Sequence, residues 1–180
     1  RAEAVLAGTS RSERRALIAE IVDQRRRAVL YDRVGEARTI LRRLVREPFE
    51  IVSERRDFPE IRRMATVELG RYMDRTSRSV LTDVVRYDPN YEVVATALRA
   101  FASYGVDETG ITEHVVARFR GADNQGRSAL GPAIIELLEL TSARRRQPAA
   151  AEAALDLLIE SNLSRDIRRR AAAIARERIR

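Results

Sequence analysis

His114 is the only histidine in this 180-residue chain, and it bounds what the protein could catalyse. Every Ser-His-Asp or Cys-His arrangement would have to pass through it, yet it sits between Glu113 and Val115 with no nucleophile motif nearby. Its sequence context is that of a partly exposed helix residue. Cysteine is absent, which removes thiolate nucleophiles, disulfides and Cys-type zinc sites. Lysine is absent too, so all 34 basic residues are arginine, and neither Schiff-base chemistry nor a P-loop lysine is available. No Gly-x-Gly-x-x-Gly, Walker-type loop, EF-hand loop or Gly-x-Ser-x-Gly elbow occurs. Carboxylates are plentiful, but on charged helices they read as halves of solvated salt bridges, and nothing singles out two as a general acid and base. The expectation is binding rather than catalysis, with no catalytic residue, no metal site and no cofactor.

Arginine is then the residue type with the most chemistry to offer, because its flat guanidinium fork grips phosphate or carboxylate through two parallel hydrogen bonds. The exclusion of lysine even from plain surface positions reads, however, as a composition bias of the source genome. A net charge of +7 and a pI near 10.7 would draw polyanions. The 27 acids are nevertheless interspersed with the arginines, leaving a surplus of three, one and three positive charges in successive thirds of the chain. That is two mildly basic ends around a nearly neutral middle, not a basic stripe. Three trios stand out, Arg25–Arg27, Arg144–Arg146 and Arg168–Arg170, but consecutive helical residues fan around the axis, so at most one or two of each can face a common ligand. Arg63, Arg99 and Arg169 lie off the apolar stripes of their helices and are the candidate binding residues.

The elements that must position these side chains repeat. Shifted by 74 positions, Leu81, Val84, Val85, Asp88, Val93, Ala97 and Phe101 fall on Leu155, Leu158, Ile159, Asn162, Ile167, Ala171 and Ala175. A shift of that size is two units of a helical array, in which no unit buries its apolar face alone. The second helix of each unit carries a small residue four positions from an apolar one on either side: Ile61-Ala65-Leu69, Val93-Ala97-Phe101, Ala129-Ala133-Leu137 and Ile167-Ala171-Ala175. Asp57, Asp88, Asn124 and Asn162 precede these helices as N-cap candidates, with Glu60 completing a capping-box variant and Pro89 suited to a first helical position. First helices read as Leu41-Leu44-Val45, Leu81-Val84-Val85, Ile111-Val115-Val116-Phe119 and Leu155-Leu158-Ile159. Ser10 and Glu13 have capping-box spacing before Ala16, Leu17 and Ile21, which opens a partial unit. The divisions are 1–35 for the fragment, then about 36–73, 74–105, 106–142 and 143–180, all in one domain. Pro132 conflicts with this register: either its helix kinks there, or it starts near Gly131 and the alignment slips.

The class is all-α, because five prolines, eight glycines and nine aromatics are unusual for an all-β chain of this length. No segment reaches the roughly 18 consecutive apolar residues that a membrane span needs. The chain begins with Arg1 rather than Met, so a processed or truncated N-terminus is in keeping with it; the compartment stays open, with cytoplasm as the default. Tyr87, Tyr91, Phe101 and Tyr104 gather in the neutral middle, as an aromatic binding patch or as packing between hairpins.

The stretch from Asp57 to Gly70, with its counterparts from Asp88-Pro89 to Phe101 and from Asn162 to Ala175, resembles the second helix of HEAT repeats over residues 36–180. The resemblance implies a right-handed αα-superhelix, an α-solenoid of antiparallel helix hairpins. It also implies that Arg62 and Arg168 match an arginine that pairs with an aspartate of the neighbouring unit, a ladder broken at Val94 and Leu130. Some HEAT proteins are metal-dependent hydroxylases with several His-Glu pairs, and the one Glu113-His114 pair here is too few. Others are DNA glycosylases with a basic concave face, but no motif of theirs is matched and tryptophan is absent. The functional expectation is a non-catalytic scaffold or adaptor that holds a protein or peptide on its concave face. The alternative is a nucleic-acid binder using the same arginines, and a third class is an enzyme accessory or lyase gripping a protein substrate or prosthetic group.

Overall fold

The computed structural model describes residues 10–26, 39–42, 59–72, 74–106, 110–141, 145 and 148–177. Among them every regular element is helical and no strand occurs. The helices are α1 (Arg11–Arg26), α2 (Pro59–Gly70), α3 (Arg75–Tyr87), α4 (Tyr91–Ser103), α5 (Ile111–Gly121), α6 (Asn124–Leu140), α7 (Pro148–Glu160) and α8 (Arg165–Arg176). None is long and apolar enough to cross a membrane. By its contacts the chain divides into two compact units, Arg1–Leu81 and Thr82–Arg180, with the division falling inside α3.

In the first unit α1 opens on the expected capping box. The Ser10 amide donates to a Glu13 carboxylate oxygen at 2.5 Å, and the Glu13 amide reaches Ser10 Oγ at 3.4 Å. Helix α1 packs on α2, burying Ile18 and Ile21 on one side and Ile61, Ala65 and Leu69 on the other. Glu60 receives Arg11 and, at 2.9 Å, Arg15, so it ties the two helices together. Helix α2 also buries Arg62, Thr66 and Glu68. At the start of α3 the carboxylate of Asp74 accepts the Ser77 amide at 2.8 Å and takes Arg42 at 3.1 Å. Asp57, Leu44 and Val45 lie outside the described residues.

In the second unit like stacks on like. The second helices α4, α6 and α8 form a row, with α6 packed on both neighbours; the first helices α5 and α7 pack together, and α5–α6 and α7–α8 form hairpins. Val93, Ala97, Phe101, Ala129, Ala133, Leu137, Ile167 and Ala171 are buried at the spacing the repeat requires, and Ala175 is half-buried. Of the first-helix residues, Val84, Val85, Ile111, Val115, Val116, Phe119, Leu155 and Leu158 are buried, whereas Ile159 is exposed. Helix α6 runs from Asn124 to Leu140 with Pro132 inside it, so the register stands and only the Ser128 carbonyl loses its helical donor.

The caps are corrected by one or two residues. Asn90, not Asp88, caps α4, its side chain accepting the amides of Glu92 at 3.0 Å and Val93 at 3.2 Å. Asp88 instead sits buried in the preceding turn and accepts the Asn90 amide at 2.9 Å. Asp123, not Asn124, caps α6, and Ser164, not Asn162, caps α8. Helix α4 ends in a Schellman motif: Val106 N–H bonds the Phe101 carbonyl and Gly105 N–H the Ala102 carbonyl, each at 3.0 Å. Gly105 takes a φ of +61° there, which a side chain would strain.

Candidate binding surface on the second helices

Because the core face of each second helix is spent on its neighbours, only the opposite face remains for a ligand. On α4 that face carries Glu92, Thr96 and Arg99; on α6 it carries Gln125, Ser128, Glu136 and Glu139; on α8 it carries Arg165, Arg169 and Arg176. Two ion pairs cross between helices. Arg99 of α4 approaches Glu136 of α6 at 3.6 Å, and Arg170 of α8 makes a fork onto Glu139 of α6, with Nη2 at 2.7 Å and Nε at 3.3 Å from its two carboxylate oxygens. Glu136 and Glu139 stand three apart on one helix, so the pairs form a row across all three helices. The hydrogen bond that Arg170 donates to Glu139 holds the Arg170 pKa above its ordinary value against a smaller opposing effect of burial, with the charges of Glu139, Asp166 and Glu136 adding to the rise. Both pairs are about a third exposed, so each contributes at most about 1 kcal/mol to stability. Their larger effect is to alternate the sign of charge along the face.

At the N-terminal edge of the row an open cleft of 140 Å³ lies between α4 and α6, lined by Asn90, Tyr91, Glu92, Asp123, Gln125 and Gly126 among others. Gly126 makes the close approach here, since a methyl group on it would come 2.4 Å from the Tyr91 ring. Arg118 lies over the same ring at 5.1 Å from its centre and donates to the Asp88 carbonyl. The Asn90 and Asp123 caps already accept first-turn amides of both helices, so those amides are not free for an anion.

The sequence-derived candidates are placed as follows. Arg63 is exposed on α2 in the first unit. Arg99 is half-exposed on α4 against Glu136, and Arg169 is exposed on α8 with no ion-pair partner among the described residues. Arg99 and Arg169 thus lie on the two helices that flank α6, whereas it is Arg170 that reaches across to it. Glu136 and Glu139 were not singled out from sequence, and Arg170 only as the last of the trio Arg168–Arg170; the i, i+3 spacing of the two glutamates opposite the apolar stripe of α6 is the signal that could have found them. Arg168 is exposed and Arg62 buried, so the two positions matched to the HEAT arginine differ in environment.

His114 is half-buried, and its Nε2 accepts from Arg86 Nε–H at 2.8 Å, which makes it a neutral ring protonated on Nδ1. Burial, then the Arg86 charge, hold its pKa below the ordinary histidine value, against an opposing pull from Glu113. Of the four aromatics, Phe101 is buried, Tyr91 is half-buried beneath Arg118, and Tyr87 and Tyr104 are exposed. Among the described residues no group of three or more His, Asp or Glu is placed to hold a metal ion. No protein-family model, curated protein or solved structure matches the chain.

Proposed function

We propose that this chain is a non-catalytic interaction module, a HEAT-like right-handed stack of helix hairpins whose second helices line a concave side that holds a protein or peptide. Support for the stacking comes from the second unit, where second helices pack on second helices and first on first, the neighbour relations that an α-solenoid uses. The observation that carries the choice of partner is the ion-pair row Arg99–Glu136 and Glu139–Arg170. A nucleic-acid surface gains from a continuous run of arginines free for phosphates. Here Arg99 and Arg170 are matched to carboxylates, and the α8 arginines left unpaired among the described residues are confined to one helix with Asp166, Glu136 and Glu139 beside them. A face of alternating sign suits a protein surface of complementary pattern, with arginine forks and carboxylates both available to it.

The test is recovery of bound macromolecules from native lysate, with and without nuclease, by the wild type and by a Glu136→Arg/Glu139→Arg variant. Protein partners that survive nuclease and are lost with the charge reversal support the proposal. A partner set that disappears with nuclease, and that the reversal strengthens, would favour the nucleic-acid alternative.

A further inference from the structure

Helix α8 carries an arginine stripe that the ion-pair row does not use. At about 100° per residue, Arg165, Arg169 and Arg176 fall within about 40° of one another around the axis, and at about 1.5 Å per residue they extend over about 16 Å. All three are exposed, as is Arg168 about 60° to one side. The opposite face holds the buried Ile167, Ala171 and Ile174. None of these four arginines has an ion-pair partner among the described residues, in contrast to Arg170 on the flank facing α6. Leaving several like charges together on one helix face costs stability unless something of opposite sign covers them.

We infer that this stripe docks an acidic peptide segment, lying along α8 with its carboxylates on Arg165, Arg169 and Arg176; the inference rests on the protein-binding reading above and names the chemistry of the partner. The stripe is one arginine wide. On its α6 side stand Asp166 and the part-exposed Glu136 and Glu139. A duplex presents two rows of phosphates across a groove of about 6 or 12 Å, so one row on the stripe brings the other over those carboxylates. A single strand gains much of its affinity from stacking on aromatic side chains, and α8 has none. An extended peptide advances about 3.3 Å per residue, so acids at alternate positions, about 6.6 Å apart, match the roughly 6 Å between Arg165 and Arg169. The roughly 10.5 Å on to Arg176 falls between one such step and two (about 13 Å) and is met by the reach of the long arginine side chain. Each carboxylate can then take a guanidinium fork.

The experiment is fluorescence anisotropy at low salt with three labelled probes: a short alternating Glu-Ser peptide, a single-stranded oligonucleotide and a duplex. An Arg165→Gln/Arg169→Gln/Arg176→Gln variant is compared with Arg75→Gln/Arg120→Gln/Arg145→Gln, which removes the same charge from exposed positions elsewhere. Circular dichroism verifies that both remain folded. The expected result is that the stripe variant binds the peptide about tenfold more weakly while the control variant stays near wild type. Equal weakening of both variants, absence of peptide binding, or tighter binding of either oligonucleotide than of the peptide would overturn the inference. If the peptide binds the stripe variant as well as wild type while nuclease-resistant protein partners are still lost in Glu136→Arg/Glu139→Arg, the stripe is refuted while the protein-binding reading stands. If only the duplex binds, both are refuted.

Discussion

Two glycines of α6 should respond unequally to the same substitution. A methyl group on Gly126 would come within 2.4 Å of Tyr91 Cδ2, 2.6 Å of Cε2 and 2.9 Å of Cγ, where carbon atoms ordinarily sit about 3.5–4.0 Å apart. Cγ is the root of the ring, so turning the ring cannot relieve the contact and the whole side chain has to move out from beneath Arg118. Overpacking of this kind costs about 1–3 kcal/mol. Replacing glycine by alanine in a helix interior returns at most about 1 kcal/mol, and less at Gly126, which lies in the first turn. The net expectation for Gly126→Ala is a loss of about 1–2 kcal/mol. At Gly131 the methyl group meets Leu163 Cδ1 at 2.5 Å, but this is the tip of a half-exposed side chain that can rotate away. There the backbone gain is opposed by Pro132, whose ring disfavours the helical conformation for a preceding residue with a Cβ, so Gly131→Ala should lie within about 1 kcal/mol of neutral. Urea denaturation followed by circular dichroism measures both, with the slope required to stay constant. In a Tyr91→Ala background the cost of Gly126→Ala should vanish. A Gly126→Ala protein as stable as wild type, or equal losses at the two glycines, would refute the packing assigned to the α4–α6 edge.

Ala97 is fully buried in the centre of α4, so Ala97→Leu should lower stability by about 1–3 kcal/mol; an unchanged midpoint would place it at the surface. Asp123→Ala should cost about 0.5–2 kcal/mol through the lost bond to the Gly126 amide, whereas Asn124→Ala, one residue into the helix, should cost far less in the same melt. His114 has a folded-state pKa depressed below 6.5, so the unfolded chain binds the proton more readily. Its contribution to stability is therefore complete above about pH 6.5 and declines as pH falls through that value towards the lower folded pKa. Removing the neighbouring cation in Arg86→Gln should move the imidazole titration upward, as read from the one histidine signal in an NMR pH series; a midpoint that stays or falls would contradict the Arg86 contact.

The helices and their buried faces were legible because apolar spacing is a local property. Ala65, Ala97, Ala133 and Ala171 recur at the middle of each second helix, and all four are buried. The caps were legible only to within a turn. Asp88-Pro89-Asn90, Asp123-Asn124 and Asn162-Leu163-Ser164 each offer two side chains able to accept first-turn amides, and which one does so depends on where the chain turns. The charged row was not legible. Arg99–Glu136 and Glu139–Arg170 join residues far apart in the chain, and one step of about 100° decides whether Arg169 or Arg170 faces α6. That step is set by how two helices dock, which intrahelical spacing leaves undetermined.

The central claim, that the second-helix face holds protein rather than nucleic acid, is met most directly by duplex binding as a function of salt. The account predicts weak affinity for random duplex that disappears near physiological salt, because Arg99 and Arg170 are matched to Glu136 and Glu139 and those carboxylates stand beside the remaining arginines of α8, interrupting the positive surface a phosphate row needs. It would be contradicted by tight binding at physiological salt, with log affinity falling linearly against log salt at about 0.9 per contact and that slope decreasing by roughly 3 in Arg63→Gln/Arg99→Gln/Arg169→Gln.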